Sequence, residues 1–161
     1  MAELVWLTPD DWEEWRTIRL ASLLDTPSAY GSTYEREVVY SAQDWHRWLA
    51  SPAVMVRENG VPIAIGAAFS PEPQVLHIVA MYVVPTHRGR GLSRLVLDAL
   101  VGHAREHGLR AQLSVNNDNE GARIAYLRYG FVPTGETRPL RDGATEVCAE
   151  MVLPDAQGFI E

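Results

Sequence analysis

Lysine is absent from this chain. All 14 basic residues are arginine, which excludes Schiff-base chemistry, a lysine-activated nucleophile and the lysine of a GxxxxGK[ST] phosphate loop. Cysteine is almost as scarce. Cys148 stands alone, so neither an intrachain disulfide nor a multi-cysteine zinc site can form, and a lone Cys in a predicted strand reads as a small core residue. The five histidines are scattered and none falls in an HExxH-type pattern, so no metal is expected. No apolar run approaches the ~20 residues of a membrane helix. Asp10, Asp11, Glu13 and Glu14 interrupt the segment where a basic-then-apolar leader would lie. No repeat, low-complexity tract or Pro/Gly/Ser-rich linker divides the 161 residues, 47% of them hydrophobic. The expectation is one compact domain over residues 1–161, soluble and cytoplasmic, with no membrane partner.

What charge there is leans acidic. The net charge of −7 argues against a nucleic-acid partner. Residues 1–58 hold ten acids against five arginines. An acidic surface promotes solubility; if those acids line a cleft, they would instead attract a cationic substrate.

Periodicity supplies the element order. Leu4–Thr8 reads as a short strand, and Thr8-Pro9 with acids behind it starts a helix in which Trp12, Trp15, Ile18, Arg19 and Leu23 share one face. Pro27 to Tyr40 has no clean period and reads as a loop or broken helix; Ser41 opens another helix carrying Trp45, Trp48 and Leu49. Ala53–Arg57 and Val61–Phe69 form a hairpin around Asn59-Gly60. Val75–Val84 is a longer strand closed by Pro85, followed by a helix over Gly91–His107, a strand over Leu109–Val115 and a helix over Asn119–Tyr129. Phe131–Thr134 begins a last antiparallel pair, which returns through Asp142-Gly143 to Ala144–Leu153. The order β-α-α-β-β-β-α-β-α-β-β gives an α/β (α+β) fold: a mixed sheet with helices on both faces.

The segment His87-Arg88-Gly89-Arg90-Gly91-Leu92-Ser93-Arg94 joins a strand to an amphipathic helix. Its glycines permit conformations closed to other residues, the helix start offers unpaired N–H groups, and Arg88, Arg90 and Arg94 add charge. Together these features suit a pyrophosphate. A glycine-rich turn alone is shared with other nucleotide sites, but no GxGxxG is present here.

Val83-Val84-Pro85-Thr86-His87-Arg88-Gly89-Arg90-Gly91 resembles the acetyl-CoA motif [Q/R]-x-x-G-x-[G/A] of the GCN5-related N-acetyltransferase (GNAT) superfamily. Arg88 and Gly91 take the first and fourth positions; Ser93 stands at the sixth, where the family prefers Gly or Ala. Downstream, Asn119-Glu-Gly-Ala122-Arg-Ile-Ala-Tyr126-Leu-Arg-Tyr-Gly130-Phe131 resembles the family's second motif, N-x-x-A-x-x-x-Y-x-x-x-G-F, at every anchor. Independently of the family, Asn119, Ala122 and Tyr126 fall on one helical face, and Ala122 keeps that face low enough for an extended ligand. The resemblance implies a mostly antiparallel sheet splayed between its fourth and fifth strands. It also implies a bulge from the sixth residue of Val75–Val84 onward and acetyl-CoA bound across the splay.

By that resemblance, the cofactor site comprises the main chain of Met81 and Val83, the turn residues Arg88, Gly89, Arg90, Gly91, Ser93 and Arg94, Asn119 along the pantetheine arm, and Tyr126 near the thioester sulfur. Tyr126 would be the general acid for the departing thiolate. A strand amide near Met81 would polarise the thioester carbonyl. Direct transfer also needs a base for the attacking ammonium. His77 is a candidate, as are Glu35 and Glu37, and the sequence leaves the choice open. Tyr30, Tyr34, Glu35 and Glu37 lie where the superfamily walls its acceptor cleft, in a pattern similar to many bacterial members, and could bind an amine by cation–π and ionic contacts. Three readings stay open: acetyl transfer to a small cationic amine, acetyl transfer to a protein N-terminus or lysine, and a non-catalytic acyl-CoA-binding module. The C-terminal strand and Pro154–Glu161 could pair across a homodimer, as sheet edges in the superfamily often do.

Overall fold

The computed structural model describes residues 2–154, which build one seven-stranded sheet in the order β1-β2-β3-β4-β5-β7-β6. Its strands are β1 (Ala2–Trp6), β2 (Ala53–Glu58), β3 (Val61–Phe69), β4 (Val75–Val83), β5 (Arg110–Asn116), β6 (Val132–Pro139) and β7 (Val147–Val152). All neighbours are antiparallel except β4 and β5, which run parallel. Helices α1 (Trp12–Asp25), α2 (Tyr34–Glu37) and α3 (Ala42–Trp48) precede β2; α4 (Leu92–Glu106) links β4 to β5, and α5 (Glu120–Tyr129) follows β5. The expected dimer contact of the tail falls mostly on residues 155–161, outside the described residues. No helix among the described residues is long and apolar enough to cross a membrane.

Strand alternation sorts side chains into two cores. Val54 and Val56 of β2 face α4, whose Val96, Leu97 and Leu100 are buried with them. Ala53 and Met55 face the opposite layer with Trp15, Ile18 and Trp45 from α1 and α3. Helices therefore cover both faces, as the element order implied.

Local chemistry accounts for most boundaries. Thr8 and Asp11 form a capping box, with the Thr8 N–H donating to Asp11 Oδ2 at 2.8 Å, but Pro9–Asp11 is a 3₁₀ turn and α1 starts only at Trp12. The irregular Pro27–Tyr40 stretch holds a 3₁₀ turn at Pro27–Ala29 and the single turn of α2, capped by Thr33 Oγ1 accepting from Arg36 N–H at 3.2 Å. Asn59 (φ 52°) and Gly60 (φ 80°) make the expected hairpin turn. The largest departure is β6, which runs on to Pro139 rather than stopping near Thr134. Its Pro133, Gly135 and Pro139 are turn signals in sequence, but an exposed edge strand tolerates them because its outer N–H groups need no partner.

Two features of β4 open the sheet. Ala67 pairs with Val79 and Ile65 with Tyr82, so Ala80 and Met81 together oppose the single residue Gly66. This is a β-bulge, and Ala80, its sixth-residue position, takes φ 60°, a conformation costing a side-chain-bearing residue about 1–2 kcal/mol. Secondly, β4 and β5 pair only over Val75–His77 and Arg110–Gln112, although both strands continue beyond. The sheet splits there, between its fourth and fifth strands.

Gly66 sits under α4 opposite the bulge. A Cβ there would collide with Val96 Cγ1 and come to 2.9 Å from Met81 Sδ and 3.1 Å from Leu100 Cδ1. Gly66→Ala is expected to cost about 1–3 kcal/mol in urea unfolding; a midpoint unchanged from the parent protein would show that α4 does not pack this closely.

Candidate active site

Through the split runs a cavity of about 780 Å³, reached from both helical layers: Arg19 and Trp48 line it from one side, Ala122 and Tyr126 from the other. Ile78 to Met81 of β4 and Leu113 to Asn116 of β5 form its walls. Since β5 leaves β4 after His77, the main-chain groups of β4 on that side face the cavity without a strand partner. Met81 belongs to this wall, and its carbonyl accepts from Tyr30 Oη at 2.8 Å.

At one end of β4, Pro85–His87 forms a 3₁₀ turn and Gly89 (φ 81°) and Gly91 (φ 77°) take left-handed conformations before α4 begins. A Cβ on either glycine would meet nothing within 4 Å, so they are required for backbone conformation rather than space. The first α4 bond runs from Leu95 N–H to Gly91 O at 3.1 Å, leaving the N–H groups of Leu92, Ser93 and Arg94 without intrahelical acceptors. Ser93 and Arg94 are exposed. This open, unpaired cradle fits a diphosphate.

The three arginines are engaged elsewhere. Arg88 donates through Nε to Val83 O at 3.0 Å and through Nη2 to Asp25 Oδ2 at 2.8 Å. Asp25 also accepts from Tyr82 Oη at 3.2 Å, and burial with that carboxylate pushes the Tyr82 phenol up to about 12. Arg90 approaches Glu58 at 3.5 Å, and Glu58 meets His87 Nε2 at 3.0 Å, a hydrogen bond that lowers its carboxyl pKa. Arg94 lies 5.4 Å over the Tyr129 ring. The arginines brace the turn, while main-chain N–H groups stay free to donate.

Helix α5 presents the second cluster. Asn119 caps it, its Oδ1 accepting from Ala122 N–H at 3.2 Å, which leaves Nδ2 as a donor toward the cavity that Asn119 lines. Tyr126 packs edge-on against Phe131, with ring centroids 6.0 Å apart, and Gly130 (φ 122°) ends the helix. Burial raises the Tyr126 phenol pKa, so at neutral pH the group is protonated.

The expected acceptor residues separate into two groups. Tyr30, Glu37 and His77 line the cavity, whereas Glu35 is exposed and Tyr34 packs against the α1–α3 core; neither of the latter is on the cavity wall. Glu37 is buried and fully engaged, both oxygens accepting from Arg19 at 2.9 Å. Glu37 is turned to Arg19, and Glu35 lies exposed off the cavity wall, so neither presents a free carboxylate to a bound amine. His77, buried beside the Phe69 ring at 5.4 Å between centroids, has its pKa lowered chiefly by burial, with Arg138 adding to the effect. It is therefore neutral near pH 7. Cys148, also on the wall, is buried and its thiol pKa is raised by burial, which suits a core residue.

The Pro27–Tyr40 segment roofs this end. Arg141, from the β6–β7 connection, donates through Nη2 to Pro27 O at 3.0 Å and to Tyr30 O at 2.8 Å, and through Nε to Gly31 O at 3.3 Å. Asn116 Nδ2 donates to Ser28 O at 2.9 Å. Sequence reasoning missed Arg141, Asn116 and Arg19 as site residues. Only Arg19 left a signal, a charged residue on the apolar stripe of α1.

The sequence profile of the acetyltransferase (GNAT) family matches residues 11–131. The L-amino acid N-acyltransferase MnaT of Escherichia coli is 27% identical over 141 residues, 74% of this chain and 81% of its own length. Among solved structures, yncA of Salmonella typhimurium with its cofactor acetyl-CoA superposes with TM-score 0.78 at 20% identity, over 97% of this chain and 99% of the other. The paia N-acetyltransferase of Thermoplasma acidophilum in complex with coenzyme A gives TM-score 0.71 at 14% identity, over 93% and 98%.

The lowered His77 pKa fixes a sign. Above its ordinary value near 6.5, the group is neutral folded and unfolded and adds no pH dependence. As pH falls below that value, the unfolded chain takes the proton first and stability drops. Urea unfolding from about pH 7.5 to about pH 5 should show a shallower loss in His77→Gln than in the parent; equal slopes would mean the imidazole is not shielded.

Proposed function

This chain belongs to the acetyltransferase (GNAT) family, and from that premise we propose that residues 1–161 act as a single-domain N-acetyltransferase that moves an acetyl group directly to the primary amine of a small molecule. The family's acyl donor is acetyl-CoA. It supplies an acyl group already activated as a thioester. In the proposed site, the amides from Gly89 to Arg94 hold its diphosphate, and the main-chain N–H groups of Met81 and Val83, whose carbonyls are taken by Tyr30 and Arg88, align its arm together with Asn119 Nδ2. The Tyr30 hydroxyl fixes the Met81 peptide and so the direction in which neighbouring N–H groups polarise a carbonyl.

Tyr126 is the proposed acid. The observation that carries the proposal is that its protonated phenol lines the same cavity as the unpaired bulge of β4 and the buried, neutral His77. His77 is the proposed base, because it can accept a proton from an ammonium near neutral pH. The roof held by Arg141 supports a small acceptor over a protein chain, which would need an open groove. MnaT, by its name, acylates the nitrogen of amino acids, and this supports nitrogen as the acceptor atom.

Screening amines and short peptides for release of free coenzyme A tests the reading. Turnover with small amines is expected, and Tyr126→Phe should reduce kcat by a factor on the order of ten to a thousand with coenzyme A affinity little changed. Full activity in Tyr126→Phe, or tight coenzyme A binding without transfer to any amine, would overturn it.

A further inference from the structure

The acids that dominate residues 1–58 do not line the acceptor cleft. Asp11 and Glu14 turn to Arg57, Asp25 to Arg88, Asp44 to Arg47, and Glu58 to His87 and Arg90. Only Glu37 of that group reaches the cavity wall, against Arg19, Arg36, Arg47 and Arg138. The charge of Glu37 is offset by Arg19, which donates to both of its oxygens. A polycationic amine would meet guanidinium groups on entering, which is the reverse of what the acidic composition suggested.

Arg19 is unusual among the four. Its side chain is 5% exposed, and its guanidinium carbon lies 5.0 Å from the Tyr30 ring centroid and 5.4 Å from that of Trp48. Nε and Nη2 are used on Glu37, but Nη1, at the corner away from that fork, is buried without a hydrogen-bond partner. Ser32 Oγ is likewise buried and unpartnered. Both residues line the cavity; the other two unpartnered buried side-chain atoms among the described residues, the indole nitrogens of Trp15 and Trp45, belong to residues that do not. Buried donors are rarely left unmade, and a charged one least of all, unless a ligand completes them.

We propose that Arg19 Nη1 and Ser32 Oγ form an anion-binding corner of the acceptor cleft, so that the amine this enzyme acetylates also carries a carboxylate. The inference rests on the acetyl-transfer reading above and names the acceptor class for the same site. The Glu37 fork fixes the guanidinium plane, so the remaining N–H groups are already oriented for a planar anion. Arg36 and Arg138 add a positive rim that draws the anion in. Phe69, Tyr40 and Trp48, which also line the cavity, offer aromatic surface to an apolar side chain. A free amino acid meets these demands. A diamine, or an amine whose carboxylate has been amidated, does not.

Two measurements test this. In the first, an aromatic amino acid, its amide and its decarboxylated amine are compared as acceptors by coenzyme A release. The acid is expected to show kcat/KM about 10- to 100-fold above both, although its ammonium is harder to deprotonate than that of the amide. Equal or better turnover of the amide or amine overturns the inference and leaves acetyl transfer intact. In the second, calorimetry compares the N-acetylated amino acid with its amide, a readout that does not depend on turnover. The acid should bind about tenfold or more tightly to the parent, and this preference should vanish in Arg19→Gln/Glu37→Gln, where both buried charges are removed together so that neither is stranded. Coenzyme A binding to the double variant reports that it is folded. Equal affinity for the two products in the parent, or a preference that survives in the folded double variant, overturns the anion corner.

Discussion

One additional residue in β4 organises the molecule. Because Ala80 and Met81 together face Gly66, the strand kinks at a point where an alanine must hold a positive φ, and it leaves the direction that would keep it beside β5. The strain is met from both sides. Gly66 lets α4 lie directly on the bulge, and the Tyr30 hydroxyl ties the Met81 carbonyl from the other layer. What the sheet forgoes in hydrogen bonds between β4 and β5 becomes a lined passage through the middle of the protein, with main-chain donors and acceptors along one wall.

The two ends of that passage are built on different physics. At the α4 end, side-chain charge serves to stiffen the chain: Arg88 is held by Asp25, Arg90 lies beside Glu58 and Arg94 over the Tyr129 ring, and the main-chain N–H groups that open α4 are free to donate. At the acceptor end the backbone is committed, with the carbonyls of Pro27, Ser28, Tyr30 and Gly31 satisfied by Arg141 and Asn116, and a side chain, Arg19, keeps the spare donor. A diphosphate needs main-chain geometry, which two glycines at positive φ supply, whereas an individual acceptor needs side chains chosen for it.

This division explains how much is legible in the residues. The turn at Gly89–Gly91, the Asn119–Tyr126 face and the split between the fourth and fifth strands follow from local spacing and a recognisable motif, and the structure has them where the sequence puts them. The edge strand β6 outruns its sequence signal because Pro133 and Gly135 mark turns in sequence and only the tertiary position excuses them. The acceptor wall is the least legible part. Glu35 and Glu37 look alike in sequence, yet a short helix turns one to solvent and buries the other against Arg19, 18 residues away. Acidic composition likewise misleads, because carboxylates such as Glu14 and Asp25 pair with Arg57 and Arg88 away from the cleft.

The proposed acetyl transfer requires coenzyme A to lie across the split, along the main chain of β4 where β5 has left it. A titration followed by backbone amide NMR tests that directly. Saturable shifts are expected at Met81 and Val83 together with Gly89 to Arg94, and little change at the far-side strands β1 and β6. No binding, or shifts confined to residues away from the split, would contradict it.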